Sequence, residues 1–453
     1  MIVTSDDLAR ATRRLRNHPL DTGAWLEVAV ILHALGHTDD AEQAFATIGE
    51  GARLGGQVAL AVACARHLAE LGSVRGPELV DRIIETYADA PARRTSADEA
   101  SPEHRAPARG SGISERGTRG IESPGRPNEI RPPRATTLPP RSHGPTDPPA
   151  LPAPVDDPLA DARSLLACHG EWLTSRSLRH GPPAPLLSAL SPPAARALAG
   201  VMTARAFTPG TRIIDVGEPA TALYWIAHGT VSVTRAASPE TERPEEWTVL
   251  GELHSGAFFG EIALVGGTRR TARVTAVDDV WVLEIPARAI EAAAARQPRL
   301  AEVLAFHARA RLLANLTRTS ELFRALGEDD REALLARLST ELVPAGARFI
   351  EQGAPNQHLW VVVAGRCEVR AAGGAIAELG PGAAVGEISL VSGDPAVADV
   401  IAIEPAVVLK LARRDFDVIA KKHPELLAAV QQLVVARERE NRALFQDATD
   451  LIV

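Results

Sequence analysis

One stretch of this 453-residue chain is written twice, and the repetition narrows the folds open to it more than any other feature. Ile213-Ile214-Asp215-Val216-Gly217, followed by Leu223 to Val233, returns 136 positions later as Phe349-Ile350-Glu351-Gln352-Gly353, followed by Leu359 to Val369. In each copy short runs of β-branched and aromatic residues flank a glycine, the pattern of strand, turn and strand, so each copy reads as a unit of antiparallel hairpins. A longer loop, Ala236 to Trp247, stretches the first copy, after which Gly256 to Val265 matches Gly382 to Val391. A pair of apolar strands follows in each, Val274 to Ile285 and Val400 to Leu411, and helical spacing closes each, Arg288 to Thr317 and Arg414 to Phe445. The pattern predicts a small β-barrel or jelly roll with helices at its ends, present in tandem.

Upstream, residues 1–90 show helical spacing without strands. Trp25, Val28, Leu32 and Leu35 recur at three- and four-residue steps, Gly36 stops the pattern, and Ala41, Ala44 and Phe45 resume it as a helix–turn–helix pair. The order Trp25, Leu32, Gly36, Ala41, Phe45 resembles a tetratricopeptide repeat. Val58 to Tyr87 supplies at most one more pair, fewer than the roughly three repeats that stack stably, so a small helical bundle or a dimerising region fits equally. Between Pro91 and Ala160 fall 15 of the 34 prolines and ten arginines, with no Phe, Trp or Tyr. Such a stretch buries too little apolar surface to offset its ordering entropy and reads as a disordered linker. Its Arg93-Arg94-Thr95-Ser96 fits the Arg-Arg-x-Ser pattern of basophilic kinase substrates; arginine is so frequent there that coincidence is the favoured reading, with a kinase site left open. The expected organisation is α+β and multidomain: helices over 1–90, linker over 91–160, a connecting segment over 161–185, and two sheet domains over 186–317 and 318–453.

Charge and cysteine content exclude several classes of function. With 49 Lys and Arg against 57 Asp and Glu, the chain is no strongly basic nucleic-acid binder. Three scattered cysteines, Cys64, Cys168 and Cys367, suit a reducing cytosol rather than a disulfide framework. No signal-peptide pattern and no run of about 18 apolar residues is present, so the expectation is a cytoplasmic protein without a membrane span. His169, His180, His307 and His358 stand isolated, so no metal or other cofactor is expected, and no phosphate-binding loop, nucleophile elbow or kinase signature appears. The expectation is a protein that is not an enzyme.

Phe259 to Ala276, FGEIALVGGTRRTARVTA, carries the chemistry. Gly260 permits close backbone approach, and Glu261 opens the short apolar turn Ile262-Ala263-Leu264, whose free N–H groups would face an anion. Arg270, across a glycine-rich turn, can bring a guanidinium to the same anion, while the Glu261 carboxylate can accept from a hydroxyl. A ligand presenting both a phosphate and a sugar hydroxyl reconciles the two charges.

This stretch resembles the phosphate-binding cassette of cyclic nucleotide-binding domains, as in the regulatory subunit of cAMP-dependent protein kinase and the bacterial catabolite activator. The likeness covers roughly residues 186–445. It implies that Glu261 accepts the ribose 2′-hydroxyl of cAMP or cGMP, that Arg270 pairs with the cyclic phosphate, and that the Ile262 and Ala263 N–H groups help hold it. Phe259 and Gly260, which lead into the cassette, are expected among the ligand-binding residues, and Thr271 stands where several bacterial members place a phosphate-contacting serine. Arg269 replaces a common proline, and Arg273 stands where the family often has a small residue near the base, so the likeness does not choose between cAMP and cGMP. In the second cassette, Val385 to Ala402, Gly386 and Glu387 remain but Ala396 takes the arginine position, and Asp394 and Asp399 are expected to repel a phosphate. One working pocket, the first, is therefore expected. The closing helices use up Arg414 to Val453 and leave no winged helix, so no direct DNA binding is expected. The expected function is a sensor whose closing helices relay to a protein partner through the N-terminal helices, the alternative being a ligand-free adaptor.

Overall fold

The computed structural model describes residues 3–19, 21–88, 150–174, 184–236, 247–320, 323, 327, 334–371, 374–425, 427–428 and 430–436. Helices come first: α1 (Ser5–Asn17), α2 (Thr22–Ala34), α3 (Thr38–Leu54), α4 (Val58–Glu70) and α5 (Arg75–Tyr87). Carboxylates take donors at the starts of the first two, Asp7 accepting from the Thr4 N–H and Asp21 from the Gly23 N–H, both at 2.9 Å. Trp25, Val28 and Leu32 of α2 and Ala41, Ala44 and Phe45 of α3 are buried, as their spacing predicts.

The expected linker ends before residue 160. The Arg16 guanidinium donates to the carbonyls of Pro152 and Ala153 and pairs with Asp161, at the start of α6 (Pro158–Thr174). This helix buries Ala162, Leu165 and Leu166 and lies against α1 and α3, with Arg163 Nε 2.7 Å from Asp40 Oδ1. Inside the stretch itself Leu151 and Leu159 also pack against this core, two apolar residues that are diluted when composition is averaged over 91–160. Residues 91–149, including Arg93 to Ser96, lie outside the described residues.

Two short helices, α7 (Pro185–Ser188) and α8 (Pro192–Val201), lead into the first repeat unit. Its strands are β1 (Thr203–Phe207), β2 (Arg212–Ile214), β3 (Ala222–His228), β4 (Thr230–Ala236), β5 (Trp247–His254), β6 (Phe258–Phe259), β7 (Arg273–Ala276) and β8 (Val280–Pro286). The second unit has β9 (Ser339–Val343), β10 (Arg348–Ile350), β11 (His358–Ala364), β12 (Cys367–Ala371), β13 (Gly374–Leu379), β14 (Ala384–Val385), β15 (Asp399–Ala402) and β16 (Ala406–Ala412). The first unit forms two four-stranded antiparallel sheets, ordered β1-β8-β3-β6 and β2-β7-β4-β5. The second repeats them strand for strand as β9-β16-β11-β14 and β10-β15-β12-β13. The sheets stay open, sharing a core in each unit rather than closing into a barrel.

Period-two alternation explains the long apolar runs, because one sheet of each unit is buried on both faces. In β3 and β8, Ile226, Val280 and Val282 face the inner core with Ile214, Val231 and Val274. Leu223, Trp225, Trp281 and Leu283 face outward into a second core shared with Trp25, Phe45 and Leu60 of the N-terminal helices. The helical region is therefore not a free-standing bundle; it and the first sheet unit have one continuous core. In β11 and β16, Trp360, Val362 and Val408 point inward, while Leu359, Val361, Val407 and Leu409 point outward.

After β8 come α10 (Ala287–Arg296) and α11 (Pro298–Thr319), and α13 (Arg413–Ala420) follows β16; the short helices α9 (Glu261–Gly266) and α12 (Glu387–Ser392) belong to the cassettes. Leu300 and Leu304 of α11 lie in the core of the first unit, whereas Leu312 and Leu316 lie in that of the second. The boundary expected at 317/318 thus falls inside a helix both units use.

Candidate functional site

The first cassette starts where β6 ends. Gly260 takes a left-handed φ of 91°, and Glu261 opens the six-residue α9 (Glu261–Gly266). A Cβ at position 260 would stand 2.6 Å from Arg270 Nη1, so glycine is required for the backbone angle and for the approach of the guanidinium. Arg270 is 5% exposed; its Nη1 donates to Gly260 O at 2.9 Å and its Nη2 to Ala222 O at 2.6 Å. Its backbone is fixed as well, the N–H donating to Glu218 O and the carbonyl accepting from Gly217 N, both at 2.9 Å. Burial pulls the Arg270 guanidinium down from its ordinary value.

Glu261 is the next residue after the carbonyl that Arg270 holds, and only 1% of it is exposed. Burial pushes its carboxyl up, against the pull of Arg311 and, more weakly, Arg270. Arg311, on α11, places Nη1 2.9 Å from Glu261 Oε1, but the same nitrogen donates to Phe258 O at 2.6 Å. Glu261 Oε1 is left paired in charge yet without a hydrogen bond. Arg311 was not foreseen, since it lies fifty residues downstream among other helix arginines and no spacing signal marks it.

The remaining expected residues spread around this pair. Phe259 is buried, its ring stacked on Tyr224 at 5.2 Å. Ala263 is buried, and its carbonyl accepts from Thr268 N at 3.0 Å. Ile262 packs against the core of the second unit. Thr271 is half-buried just before β7. Arg269 Nη1 donates to Gly217 O at 2.8 Å. Arg273 is engaged with its own chain, Nε 2.9 Å from Asp215 Oδ1 and the guanidinium 3.8 Å from the centre of the Trp247 ring.

The second cassette keeps the backbone and changes the side chains. Gly386 has φ 84°, Glu387 is buried at the start of α12 (Glu387–Ser392), and Ala396 is buried. Ala396 repeats the backbone bonds of Arg270, donating to Ala354 O at 2.9 Å and accepting from Gly353 N at 2.8 Å. The expected repulsive pair is corrected by half: Asp399 accepts from Gln352 N at 2.8 Å and lies 3.4 Å from Arg348 Nη1, so its charge is already answered. Asp394 is exposed.

Among the described residues no group of three or more side chains could hold a metal ion, and no helix is long and apolar enough to cross a membrane. The three thiols are unpaired.

Residues 204–297 and 340–423 both match the family model of the cyclic nucleotide-binding domain. A Pycsar effector protein of Xanthomonas perforans is 31% identical over 147 residues, 32% of this chain and 44% of that protein. The cGMP-dependent protein kinase egl-4 of Caenorhabditis elegans is 29% identical over 224 residues, 48% of this chain and 26% of the kinase. Among solved structures, cAMP-bound PfPKA-R is 18% identical, covers 57% of this chain and 85% of its own, and has a TM-score of 0.28. The chain spans less than half the length of these two curated relatives.

Proposed function

We propose that these tandem cyclic nucleotide-binding domains form a non-enzymatic sensor in which only the first binds a 3′,5′-cyclic purine nucleotide. The observation that carries this reading is the buried Glu261 Oε1, an acceptor without a hydrogen bond, one residue from the carbonyl that anchors a buried arginine. A buried polar atom left in this way calls for a donor, and a ribose hydroxyl is one. Arg270 has five N–H groups and uses two on carbonyls, which leaves donors for an anionic phosphate. The Ile262 and Ala263 N–H groups and Thr271 would complete the phosphate contacts. The second domain, with Ala396, offers no cation at the same place.

Relay would run through α11. A hydroxyl donating to Glu261 competes with Arg311 for the same oxygen, so the two conformations of α11 would differ in nucleotide affinity, which is what a population shift requires. Through its contacts with both cores α11 reaches the N-terminal helices and the second domain, and a protein partner would read the change there. Three unpaired thiols suit the cytoplasm.

One observation favours a ligand-free adaptor instead: Arg270 is held by two carbonyls of its own chain and Glu261 faces Arg311. Calorimetric titration of cAMP and cGMP into the full chain separates the readings. The sensor predicts one equivalent bound and a loss of about 10- to 150-fold in affinity in Arg270→Ala, from the roughly 1.5–3 kcal/mol of a charged hydrogen bond. Equal heats from wild type and Arg270→Ala would overturn it. A rise in melting point with nucleotide, seen in the wild type alone, would count against the adaptor.

A further inference from the structure

Two carbonyls in the second domain correspond to those that Arg270 holds in the first. Gly386 O matches Gly260 O, and His358 O matches Ala222 O. The arginine is gone, yet a side chain still bridges the two carbonyls: Asn356 Nδ2 donates to His358 O at 2.8 Å and to Gly386 O at 3.3 Å, the latter also accepting from Leu390 N at 3.0 Å. The other end of the amide is engaged too, Oδ1 accepting from His358 N at 3.3 Å and from Trp360 Nε1 at 3.4 Å. Position 356 corresponds to Ala220, so the two copies have exchanged large for small at two places: Ala220 with Arg270, Asn356 with Ala396. The crowding is the same, since a Cβ at Gly386 would stand 2.5 Å from Asn356 Nδ2, against 2.6 Å to Arg270 Nη1 at Gly260.

We propose that Asn356 is a built-in latch, a neutral amide that does the arginine's structural work of tying the cassette turn to the start of β11, and so holds the second domain in one state without a ligand. The amide supplies two N–H groups from one atom, so a single side chain joins the turn carbonyl to the carbonyl that opens β11. It brings no positive charge, so the tie is kept while attraction for a phosphate is lost. The fixed domain is also the surface on which the first cassette rests: Ile262 packs into its core, and a Cβ at Gly266 would stand 2.7 Å from a Val407 methyl. The latch holds whether or not the first cassette binds a nucleotide.

The test is a double-mutant cycle on the full chain, read by thermal unfolding without nucleotide: wild type, Asn356→Ala, Ala396→Arg and the pair together. Asn356→Ala removes the donor at 2.8 Å from His358 O and the cross-link to Gly386 O, whose bond from Leu390 N remains, and lowers the midpoint by about 2–4 °C. Ala396→Arg lowers it too, because Asn356 already holds the acceptors its guanidinium would need. The double variant restores the arrangement of the first domain and recovers to within about 1 °C of wild type. Losses in the double that equal the sum of the singles, or an Asn356→Ala midpoint no different from wild type, would overturn the latch. If Ala396→Arg alone does not fold, the comparison of Asn356→Ala with the double decides: recovery supports the exchange, and further loss refutes it.

Discussion

The outward faces of the two doubly buried sheets differ more than their strand order does. At one register position on the eighth strand of each unit the first domain has Trp281 and the second Val407. Trp281 meets the N-terminal helices, with the His67 ring 4.8 Å and the Phe45 ring 6.3 Å away. Val407 meets Gly266, the last residue of α9 in the first cassette. Each unit therefore leans on what precedes it in the chain, the first on helices and the second on the first. The neighbour, not the strand, sets the side chain. A bundle of separated helices leaves a gap that an indole fills, whereas a cassette turn comes so close that only a small aliphatic fits.

The largest expected effect breaks this comparison at its heavier end. Trp281→Ala should cost about 3–5 kcal/mol, because it empties a site between helices and sheet, and chemical denaturation should show the N-terminal region and first domain losing stability together. Val407→Ala removes two methyl groups and should cost about 1.6 kcal/mol on the same measurement. A helical region that still melted unchanged in Trp281→Ala would deny the shared core.

A middle-sized effect tests the seam itself. Position 266 is glycine, whereas its counterpart in the second cassette is Ser392, which is exposed and accepts from Asp394 N at 3.0 Å. Gly266→Ser should cost about 1–3 kcal/mol through overpacking against Val407, and Val407→Ala in the same chain should recover part of it. Additive losses would mean that the two residues do not meet.

The smallest effect concerns the buried carboxyl. Burial raises the Glu261 carboxyl above its unfolded value, so the folded state holds the proton more tightly and stability falls as pH rises from the ordinary glutamate value near 4.3 through the raised one. Glu261→Gln should therefore raise the melting point of the nucleotide-free protein at neutral pH, with the gain shrinking as pH falls toward 4.3. A gain that grew on acidification would show that the Arg311 contact outweighs burial.

Much of this was legible because the copies repeat and because period two leaves its mark: Val280 to Ile285 reads as a continuous apolar run since both faces of that strand are covered. Gly260, Glu261 and Arg270 stood out through their likeness to a known cassette, and the close approach of Arg270 to position 260 follows from glycine's missing side chain. What covers an outward face could not be read, since Trp281 and Val407 are apolar whatever they touch. The Ala220–Asn356 exchange was visible in principle: aligning the copies shows a polar residue gained where a cation was lost, but its meaning depends on two carbonyls that no sequence displays. Arg311 needed the path of α11, which brings a distant turn back over the cassette.

That helix also limits the chain's history. With Leu300 and Leu304 rooted in one core and Leu312 and Leu316 in the other, any rearrangement that carried one copy into a different protein would take half a helix with it and leave a greasy stump behind. The copies are free to drift apart in residues, as positions 220, 270, 356 and 396 have, but not to part company.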